Sequence, residues 1–432
     1  MESERLPLVC LADAPPKSHP VMQSPSTCGM RTGRGKQPTS SCRAAKRPST
    51  NFCPANRTST RPYPSRSNPR ACSRMRAKGM PSSVTRSSCS VTRARRFGNA
   101  RESETHSSKT RPNWKNNQNR NFMKLTGLIA ATYTPFLEEG SVNLDLIPTM
   151  TDYMIDSGVS GFYVCGSTGE GESMSVEERK QVAAAFVSAT KGRIPVVVQV
   201  GHNSVESACE LARHATEIGA DAISTLPPSY FKPASVDLLV DFIARVSACA
   251  PDLPYYYYHI PRMSGVSPDV VEFMQKACDR VPRFHGIKFS DFFLADLTTC
   301  LEFDNGRLDV LFGSDEMILG GLATGAEGVV GSTYCVAAPL FANIIKAYGK
   351  GKLEDAQSWM AKAVRLIRMI DKEPGPYHSC VKQVVWPLLG FEVGTCRVPQ
   401  AVLSDEEVAH ARSRLEDSGF VQEIVSGDFQ LP

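Results

Sequence analysis

From Gly127 onward the chain alternates short runs of β-branched and aromatic residues with amphipathic stretches, and each pair of segments takes roughly 25–35 residues. This alternation is typical of a parallel sheet whose strands are joined by helices. The candidate strands are "GLIAATYTPF", "GFYVCGS", "PVVVQVG", "ADAISTLPP", "PYYYYHIP", "FHGIKFS", "LDVLFGSD" and "EGVVGST". Eight such units predict a closed (β/α)₈ barrel, the TIM-barrel fold, because an open doubly wound sheet usually has fewer strands.

Local signals predict where some helices begin. Ser175 and Glu178 have the spacing of a capping box ahead of "ERKQVAAAFVSA". Ser267 and Pro268 are expected to begin the helix "SPDVVEFMQKA". After the eighth strand, "PLFANIIKAYGKGKLEDAQSWMAKAVRLIRMI" predicts extra C-terminal helices beyond the barrel.

The first 122 residues differ from the rest in composition. They contain 24 Lys and Arg against five acidic residues, a net charge of +19, whereas residues 123–432 carry −14. The segment is rich in Ser, Arg, Pro and Asn and cannot bury a core, so residues 1–122 are predicted to be a disordered basic extension and residues 123–432 the folded domain.

Two interpretations of this extension stay open. An acid-poor segment rich in Arg and Ser resembles a transit-like or nucleic-acid-binding arm. Alternatively, "MKLTGLIAATYTPF" from Met123 reads like the start of a globular enzyme, and the preceding residues are an over-long gene prediction without a folded role.

The cysteines indicate a reducing compartment. Six of the fourteen fall in residues 1–122, and the other eight form no CxxC pair. Without a secretory apolar segment, scattered cysteines predict free thiols in a cytoplasmic protein rather than a disulfide framework. No apolar stretch approaches the ~18–20 residues of a membrane span, so no membrane association is expected.

In a barrel of this type, active residues lie where strands end and loops begin. The polar residues at the predicted strand ends are Ser167, Thr168, Tyr258, Lys288, Ser290, Asp315, Glu316 and Ser332. Each type also has an ordinary structural role: Ser-Thr as a turn or cap, tyrosine as packing, Asp-Glu as the first turn of a helix. Taken singly, none of them identifies a site.

Lys288 stands in the apolar run "RFHGIKFSDFF", residues 283–293, although lysine is among the residues least often buried. A buried lysine loses solvation of its charged form, so its pKa falls and a nucleophilic amine becomes available near neutral pH. Such an amine can condense with a ketone to form a Schiff base. A lysine that extends out of the strand end into solvent is the structural alternative.

Five motifs occur in one order along residues 124–420: "GSTGEG", "YYYYHIP", "GIKFSD", "FGSDE" and "GSTY". Together they closely resemble the N-acetylneuraminate lyase branch of the pyruvate-dependent class I aldolase superfamily, which also includes dihydrodipicolinate synthase. The resemblance implies a (β/α)₈ barrel, usually a homotetramer. It also implies reversible retro-aldol cleavage of N-acetylneuraminate (sialic acid) to N-acetyl-D-mannosamine and pyruvate through a lysine Schiff base.

The resemblance implies roles for single residues. Lys288 matches the Schiff-base lysine, and Tyr258 matches the catalytic tyrosine that would move a proton at the substrate hydroxyl. Ser167 and Thr168 match positions that bind the carboxylate of the α-keto acid, and Ser167 would also relay protons to Tyr258. Tyr230, in "PPSYFKP", matches a tyrosine that in many relatives reaches into a neighbouring subunit's site.

The sugar part of the substrate would be held by a second group of residues. Hydroxyl and carboxylate groups suit a polyol, since a sugar hydroxyl can donate to a carboxylate and accept from a serine. The matching positions are Ser290, Gly313, Asp315, Glu316 and Ser332.

The imine is itself the electron sink for the reaction, so the resemblance implies neither a metal nor another cofactor. The histidines agree with this expectation. Residues 123–432 contain six, and no two have HxH or HxxxH spacing, which disfavours a zinc-dependent class II aldolase.

Two alternative functions stay open. Dihydrodipicolinate synthases carry an arginine after their tyrosine motif that binds a second carboxylate. Here Met263 occupies the aligned position and Arg262 lies one residue earlier, so a slip of one residue would put a guanidinium in the site. The other alternative is a nucleic-acid-binding protein led by its basic extension, although that segment has few aromatic residues to stack on bases.

Overall fold

The computed structural model describes residues 124–281, 283–371 and 376–431. The predicted basic extension, residues 1–122, and the proposed start at Met123 lie outside the described residues. All that follows about structure concerns the described ranges.

Eight parallel strands form a closed barrel in sequence order, and the last strand pairs with the first. Each strand is buried on both faces, as the continuous apolar runs of the sequence indicate. The strands are β1 Gly127–Ala131, β2 Gly161–Val164, β3 Val196–Gln199, β4 Ala222–Thr225, β5 Tyr255–His259, β6 Phe284–Phe289, β7 Asp309–Phe312 and β8 Gly328–Gly331. The predicted (β/α)₈ barrel is therefore confirmed.

Helices connect the strands and continue after the barrel has closed. Those up to the eighth strand are α1 Ile147–Asp156, α2 Val176–Thr190, α3 Val205–Glu217, α4 Val236–Ala248, α5 Pro261–Ser264, α6 Val270–Arg280, α7 Leu294–Glu302 and α8 Ile318–Thr324. Those after it are α9 Tyr334–Gly349, α10 Leu353–Ile370, α11 Tyr377–Cys380, a π-helical turn Val381–Val385, α12 Trp386–Leu388, α13 Asp405–Asp417 and α14 Phe420–Ser426.

Successive side chains of a strand point alternately into the barrel and outward. In β5, Tyr256 and Tyr258 belong to the cluster that fills the barrel, whereas Tyr255 and Tyr257 pack in the larger core under the helices. The barrel interior is thus a packed core, and the polar residues at the strand ends lie at its carboxyl end.

The helix predictions were partly correct. The capping box of Ser175 and Glu178 is present at the start of α2. The helix expected from Ser267 begins instead at Val270, because Asp269 accepts from the backbone N–H of Glu272 and acts as the N-cap.

The segment after β8 also differs from the prediction. α9 begins at Tyr334, five residues before Pro339, and it is kinked at Ala337 because the proline cannot donate to the preceding turn. It packs against β1 and is the eighth helix of the barrel ring. The extra helices predicted beyond the barrel therefore begin with α10.

No helix within the described ranges combines the length and apolar character needed to cross a membrane.

Candidate active site

Lys288 lies near the carboxyl end of β6 and points into the barrel. Its neighbours Ile287 and Phe289 face outward and pack under the helices. The register between β5 and β6 pairs Lys288 with Tyr258, so both side chains meet at the same level of the barrel.

The Lys288 amine is removed from solvent by aromatic rings. The residue is 3% exposed, and its Nζ lies 3.7 Å from the ring centroid of Tyr163 and 3.9 Å from that of Tyr258. Burial lowers the pKa of Lys288, and the opposing attraction of Tyr258 and of Asp315 is weaker. This is the direction that makes a neutral amine available to attack a carbonyl carbon.

Tyr258 lies between Lys288 and the turn after β2 and contacts both. Its hydroxyl lies 3.5 Å from Ser167 Oγ, and either atom can donate. A proton can therefore pass between the phenol and the serine beside the lysine amine.

The turn after β2 has an unusual backbone. Cys165 and Glu170 have φ values of 59° and 55°, in the left-handed region that residues other than glycine rarely adopt. A Cβ at Gly171 would overlap the carbonyl oxygen of Cys165, so only glycine fits this close approach. The turn carries Ser167 and Thr168 to the cavity at the barrel mouth.

A buried ion pair, which sequence analysis did not predict, anchors this turn. Glu170 Oε1 accepts from Lys382 Nζ at 2.8 Å, and Glu170 Oε2 accepts from the backbone N–H of Arg397 at 2.8 Å. Lys382 lies in the π-helical turn and also donates to the carbonyl oxygen of Thr134 at 3.0 Å. Burial lowers the pKa of Lys382, against the attraction of Glu170. The C-terminal helices thus hold the loop that carries the serine-threonine pair.

Asp315 follows β7 and is buried beside the cavity. Its Oδ2 accepts from the backbone N–H of Thr333 at 2.8 Å and from Thr333 Oγ1 at 2.6 Å. Thr333 Oγ1 also lies 2.6 Å from the hydroxyl of Tyr377, on α11. Burial raises the pKa of Asp315 to about 6, and the two Thr333 hydrogen bonds oppose this rise. The carboxyl group therefore changes charge at about pH 6.

The other predicted sugar-binding residues surround Asp315. Glu316 is exposed at the rim and accepts from Ser314 Oγ at 3.2 Å. Ser290 is buried beside Gly313, where an added Cβ would overlap Ser290 Oγ, so the glycine leaves room for the hydroxyl. Ser332 follows β8 and is half-buried.

A cavity of about 260 Å³ opens at the carboxyl end of the barrel. Nine of the ten predicted site residues line it: Ser167, Thr168, Tyr258, Lys288, Ser290, Gly313, Asp315, Glu316 and Ser332. Tyr230 does not line it and is 80% exposed. Its expected role in a neighbouring subunit's site stays a prediction. Arg262 and Met263, whose alignment was ambiguous, both line the cavity.

Sequence analysis missed Thr333, Tyr377 and His378, which line the cavity, and Tyr163, whose ring lies against the Lys288 amine. Tyr163 could have been found from the alternation of β2, since it points inward like Tyr258. Thr333 follows Ser332 in the "GSTY" motif at the end of the eighth strand, a signal that could have identified it. No sequence signal identified Tyr377 or His378, because both come from α11, outside the repeating pattern. His378 Nδ1 lies 3.1 Å from the Tyr133 hydroxyl, and burial lowers the pKa of His378 to about 4, so its imidazole is neutral at neutral pH.

Within the described ranges, no group of three or more His, Cys, Asp or Glu side chains is placed to hold a metal ion. The side chains predicted for the site bring an amine, several hydroxyls and two carboxyl groups to the cavity.

A closed (β/α)₈ barrel with a buried lysine, a tyrosine and a serine hydroxyl at its carboxyl end defines a class of protein, the lysine-dependent class I aldolases. Comparisons with known proteins agree. Residues 124–418 match the dihydrodipicolinate synthetase family. The match spans more than half of the chain, and the chain belongs to this family.

Relatives within the family point to one branch. The chain is 41% identical over 282 residues to N-acetylneuraminate lyase of Danio rerio, covering 64% of this chain and 91% of that protein. The solved N-acetylneuraminate lyase of Proteus mirabilis is 39% identical with a TM-score of 0.66, covering 69% of this chain and 100% of that one. A dihydrodipicolinate synthase of Bacillus anthracis is similar at 25% identity and a TM-score of 0.63, covering 68% of this chain and 98% of that one.

Proposed function

We propose that this chain cleaves N-acetylneuraminate reversibly to N-acetyl-D-mannosamine and pyruvate through an imine on Lys288. The observation that carries the proposal is the desolvated Lys288 amine at the floor of a cavity lined by hydroxyls and carboxylates. Relatives named N-acetylneuraminate lyase, at 37–42% identity, support the choice of substrate.

The reaction begins when the neutral Lys288 amine adds to C2 of the open-chain substrate and water leaves. Ser167 and Thr168 hold the adjacent carboxylate with hydroxyl and backbone donors. Tyr258, beside both Lys288 and Ser167, gives its phenolic proton to the oxygen that leaves C2 as water, and its phenolate then accepts the proton of the C4 hydroxyl.

Loss of that proton breaks the C3–C4 bond. The bonding electrons pass into the imine to give an enamine, and C4 becomes the aldehyde carbon of N-acetylmannosamine. Protonation of the enamine at C3 gives the imine of pyruvate, and water hydrolyses it to release pyruvate and the free amine.

In this proposal Asp315, Glu316 and Ser290, which also line the cavity, bind the sugar hydroxyls. Asp315 supplies a buried acceptor whose Oδ2 is already held by Thr333, and Glu316 supplies an exposed one at the rim. Two acidic groups favour a polyol over a second carboxylate.

A dihydrodipicolinate synthase-like condensation is the second candidate, and one observation favours it. Arg262 lines the cavity, and its guanidinium stacks on the Phe292 ring at 3.8 Å, so a cation does stand at the mouth. The two functions are separated by comparing cleavage of N-acetylneuraminate with condensation of pyruvate and aspartate semialdehyde. Faster turnover of the semialdehyde would overturn the lyase proposal.

Formation of the imine on Lys288 is tested by trapping it with a reductant. We expect pyruvate and borohydride to add a reduced imine to Lys288, located by mass spectrometry. Lys288→Arg keeps a long basic side chain but lacks a primary amine, so trapping should vanish and turnover should fall by several orders of magnitude. Lys362→Arg is the matched control, because Lys362 is also buried but pairs with Glu423 away from the cavity. Substantial turnover in Lys288→Arg would refute the imine.

We further propose a homotetramer in the cytoplasm. The exposed Tyr230 and Phe231, 80% and 85% accessible with ring centroids 4.9 Å apart, support a subunit contact at this loop. All eight cysteines of the described residues are free thiols, which supports a reducing compartment. Sedimentation velocity tests the assembly, and cell fractionation tests the location.

A further inference from the structure

Two thiols meet on the outer ring of helices, away from the cavity. Cys209 lies on α3, and Cys249 is the C-cap of the neighbouring α4. Both thiols donate to one acceptor, the carbonyl oxygen of Arg245, with S···O distances of 3.6 Å and 3.5 Å. The two cysteines are forty residues apart in the chain and adjacent in the fold.

The two thiols have different surroundings. Cys249 is half-buried, and its Sγ accepts from Arg213 Nη1 at 3.5 Å. Cys209 is 5% exposed, and burial followed by the neighbouring Cys249 thiol raises the pKa of Cys209 to about 12. Arg213 lies one helical turn from Cys209 on the same helix, which explains why one guanidinium reaches the pair.

We propose that Cys209 and Cys249 are a redox-modification site, at which a hydroperoxide converts the two thiols into a reversible disulfide. The thiolate of Cys249 attacks a peroxide oxygen, the O–O bond breaks, and the leaving oxygen takes a proton, which leaves a sulfenic acid on Cys249. The Cys209 sulfur then attacks the Cys249 sulfur and displaces hydroxide, which leaves as water with the Cys209 proton. With hydrogen peroxide, two thiols are oxidised and the peroxide is reduced to two molecules of water.

The more exposed thiol, Cys249, would react with the peroxide, and the buried thiol, Cys209, would then react with the oxidised Cys249. A sulfenic acid at Cys249 has the Cys209 thiol beside it, so disulfide formation competes with further oxidation. Neither cysteine lines the cavity, and the site is therefore independent of the proposed lyase reaction.

Cys278 provides a matched control. It is half-buried like Cys249, and its Sγ accepts from Arg307 Nη2 at 2.7 Å. Within the part of the chain that the structure describes, no second thiol contacts it. Cys278 therefore has an arginine contact like that of Cys249 but, among the described residues, no neighbouring thiol with which to form a disulfide.

The experiment uses the full chain, reduced, treated with graded hydrogen peroxide and then alkylated. Tryptic cleavage releases residues 194–213 and residues 246–262, each with one cysteine, Cys209 or Cys249. Non-reducing mass spectrometry should find the two peptides joined, lighter than their sum by two hydrogen atoms and separable by dithiothreitol. Cys249→Ser should abolish the joined species, and Cys278→Ser should leave its yield unchanged.

Three results would overturn the proposal. Cys209 could remain fully alkylated while Cys249 accumulates as sulfenic or sulfinic acid. Cys249 could be joined to a cysteine other than Cys209. Both thiols could stay reduced at peroxide concentrations that oxidise Cys278. Retained lyase turnover in Cys249→Ser establishes that the variant is folded, so absence of the joined peptide cannot be attributed to misfolding.

Discussion

At the scale of the residue, Lys288 is subject to two opposing effects. Aromatic faces at 3.7 and 3.9 Å attract a cation, an effect of about 2 kcal/mol at a desolvated site. Burial removes the solvation of the charged form and so lowers the pKa of a lysine. Desolvation is the larger effect, so the pKa of Lys288 is lowered and the rings only moderate the shift.

Tyr258→Phe tests proton transfer at the same level of the barrel. Only the hydroxyl near Ser167 is lost, so imine trapping with pyruvate should persist while carbon–carbon cleavage slows by about 10²–10⁴-fold. Single-turnover kinetics with N-acetylneuraminate measure the cleavage step.

Tyr256→Phe is the control on the same inward face of β5. Its hydroxyl donates to Asp309 Oδ2 at 2.7 Å, so removing it should cost about 1 kcal/mol of stability without slowing cleavage. Unchanged cleavage in Tyr258→Phe would show that Tyr258 only packs against the lysine.

Asp315 should make sugar binding depend on pH. Its pKa of about 6 in the folded chain is above the usual ~3.9 of an unfolded chain, so ionisation of Asp315 reduces stability as pH rises from about 4 to 6. The ionised form is the better hydroxyl acceptor. We therefore expect KM for N-acetylneuraminate to rise as pH falls below about 6, more than the concentration dependence of pyruvate trapping does.

Asp315→Asn should remove this dependence of KM on pH. The charged neighbours Glu316 and Lys288 also act on Asp315, so the comparison needs a second acid of similar pKa. Asp309 is the control acid. Burial raises the pKa of Asp309 to about 6 as well, and the residue lies at the start of β7, outside the cavity lining. Asp309→Asn should leave the KM profile unchanged, and a profile altered equally by both substitutions would contradict the assignment.

At the scale of the element, the turn after β2 depends on helices from the far end of the chain. Glu170 adopts φ 55° without being glycine, and Lys382 and Arg397 hold its carboxylate through charge and hydrogen bonds. A carboxylate this deeply buried is stable only when it is paired. The segment after β8 therefore fixes, through Lys382 and Arg397, the turn that carries Ser167 and Thr168.

Lys382→Met should leave the Glu170 carboxylate buried without its cation. Removing one partner of a buried pair costs about 3–5 kcal/mol, so the midpoint of urea unfolding should fall markedly. Displacement of the turn should also weaken pyruvate binding, measured as the concentration for half-maximal imine trapping.

The double variant Lys382→Met, Glu170→Gln separates the two effects. It removes the unpaired charge and should recover part of the stability. Stability that stays at the level of Lys382→Met alone would show that the cost comes from packing around the lysine rather than from the charge.

At the scale of the whole molecule, closure of the barrel is what brings the site together. The lining residues come from the ends of β1, β2, β5, β6, β7 and β8 and from α5, α10 and α11. The eight strands of the closed barrel and the residues of the proposed site lie within residues 124–431. A chain that starts at Met123 thus contains the complete barrel.

We expect the chain truncated to residues 123–432 to fold and to retain full lyase activity. Circular dichroism and steady-state turnover, measured beside the full-length chain, test this. Loss of folding or turnover would mean that residues 1–122 have a structural role. Binding of the full-length chain to RNA or DNA, absent from the truncated one, would instead support the nucleic-acid interpretation of the basic extension.

The sequence by itself determined the barrel and the positions of nine lining residues. The alternation of strand and helix patterns predicts which residues are buried, because each strand and helix must bury its apolar face against another element. The ordered motifs placed polar residues at strand ends, where a barrel gathers them. The start of α6 was placed three residues early, because the Asp269 cap was not distinguished from the nearby Ser267 and Pro268.

Only the tertiary structure decided which distant residues meet. Glu170 and Lys382 are 212 positions apart, and Tyr377 reaches Thr333 only because the C-terminal helices fold back over the barrel mouth. Cys209 and Cys249 are adjacent because α3 and α4 pack side by side. The local sequence pattern indicates whether a residue is buried. Which buried charges and thiols pair with each other depends on how the helices and strands pack, and this packing exists only in the folded molecule.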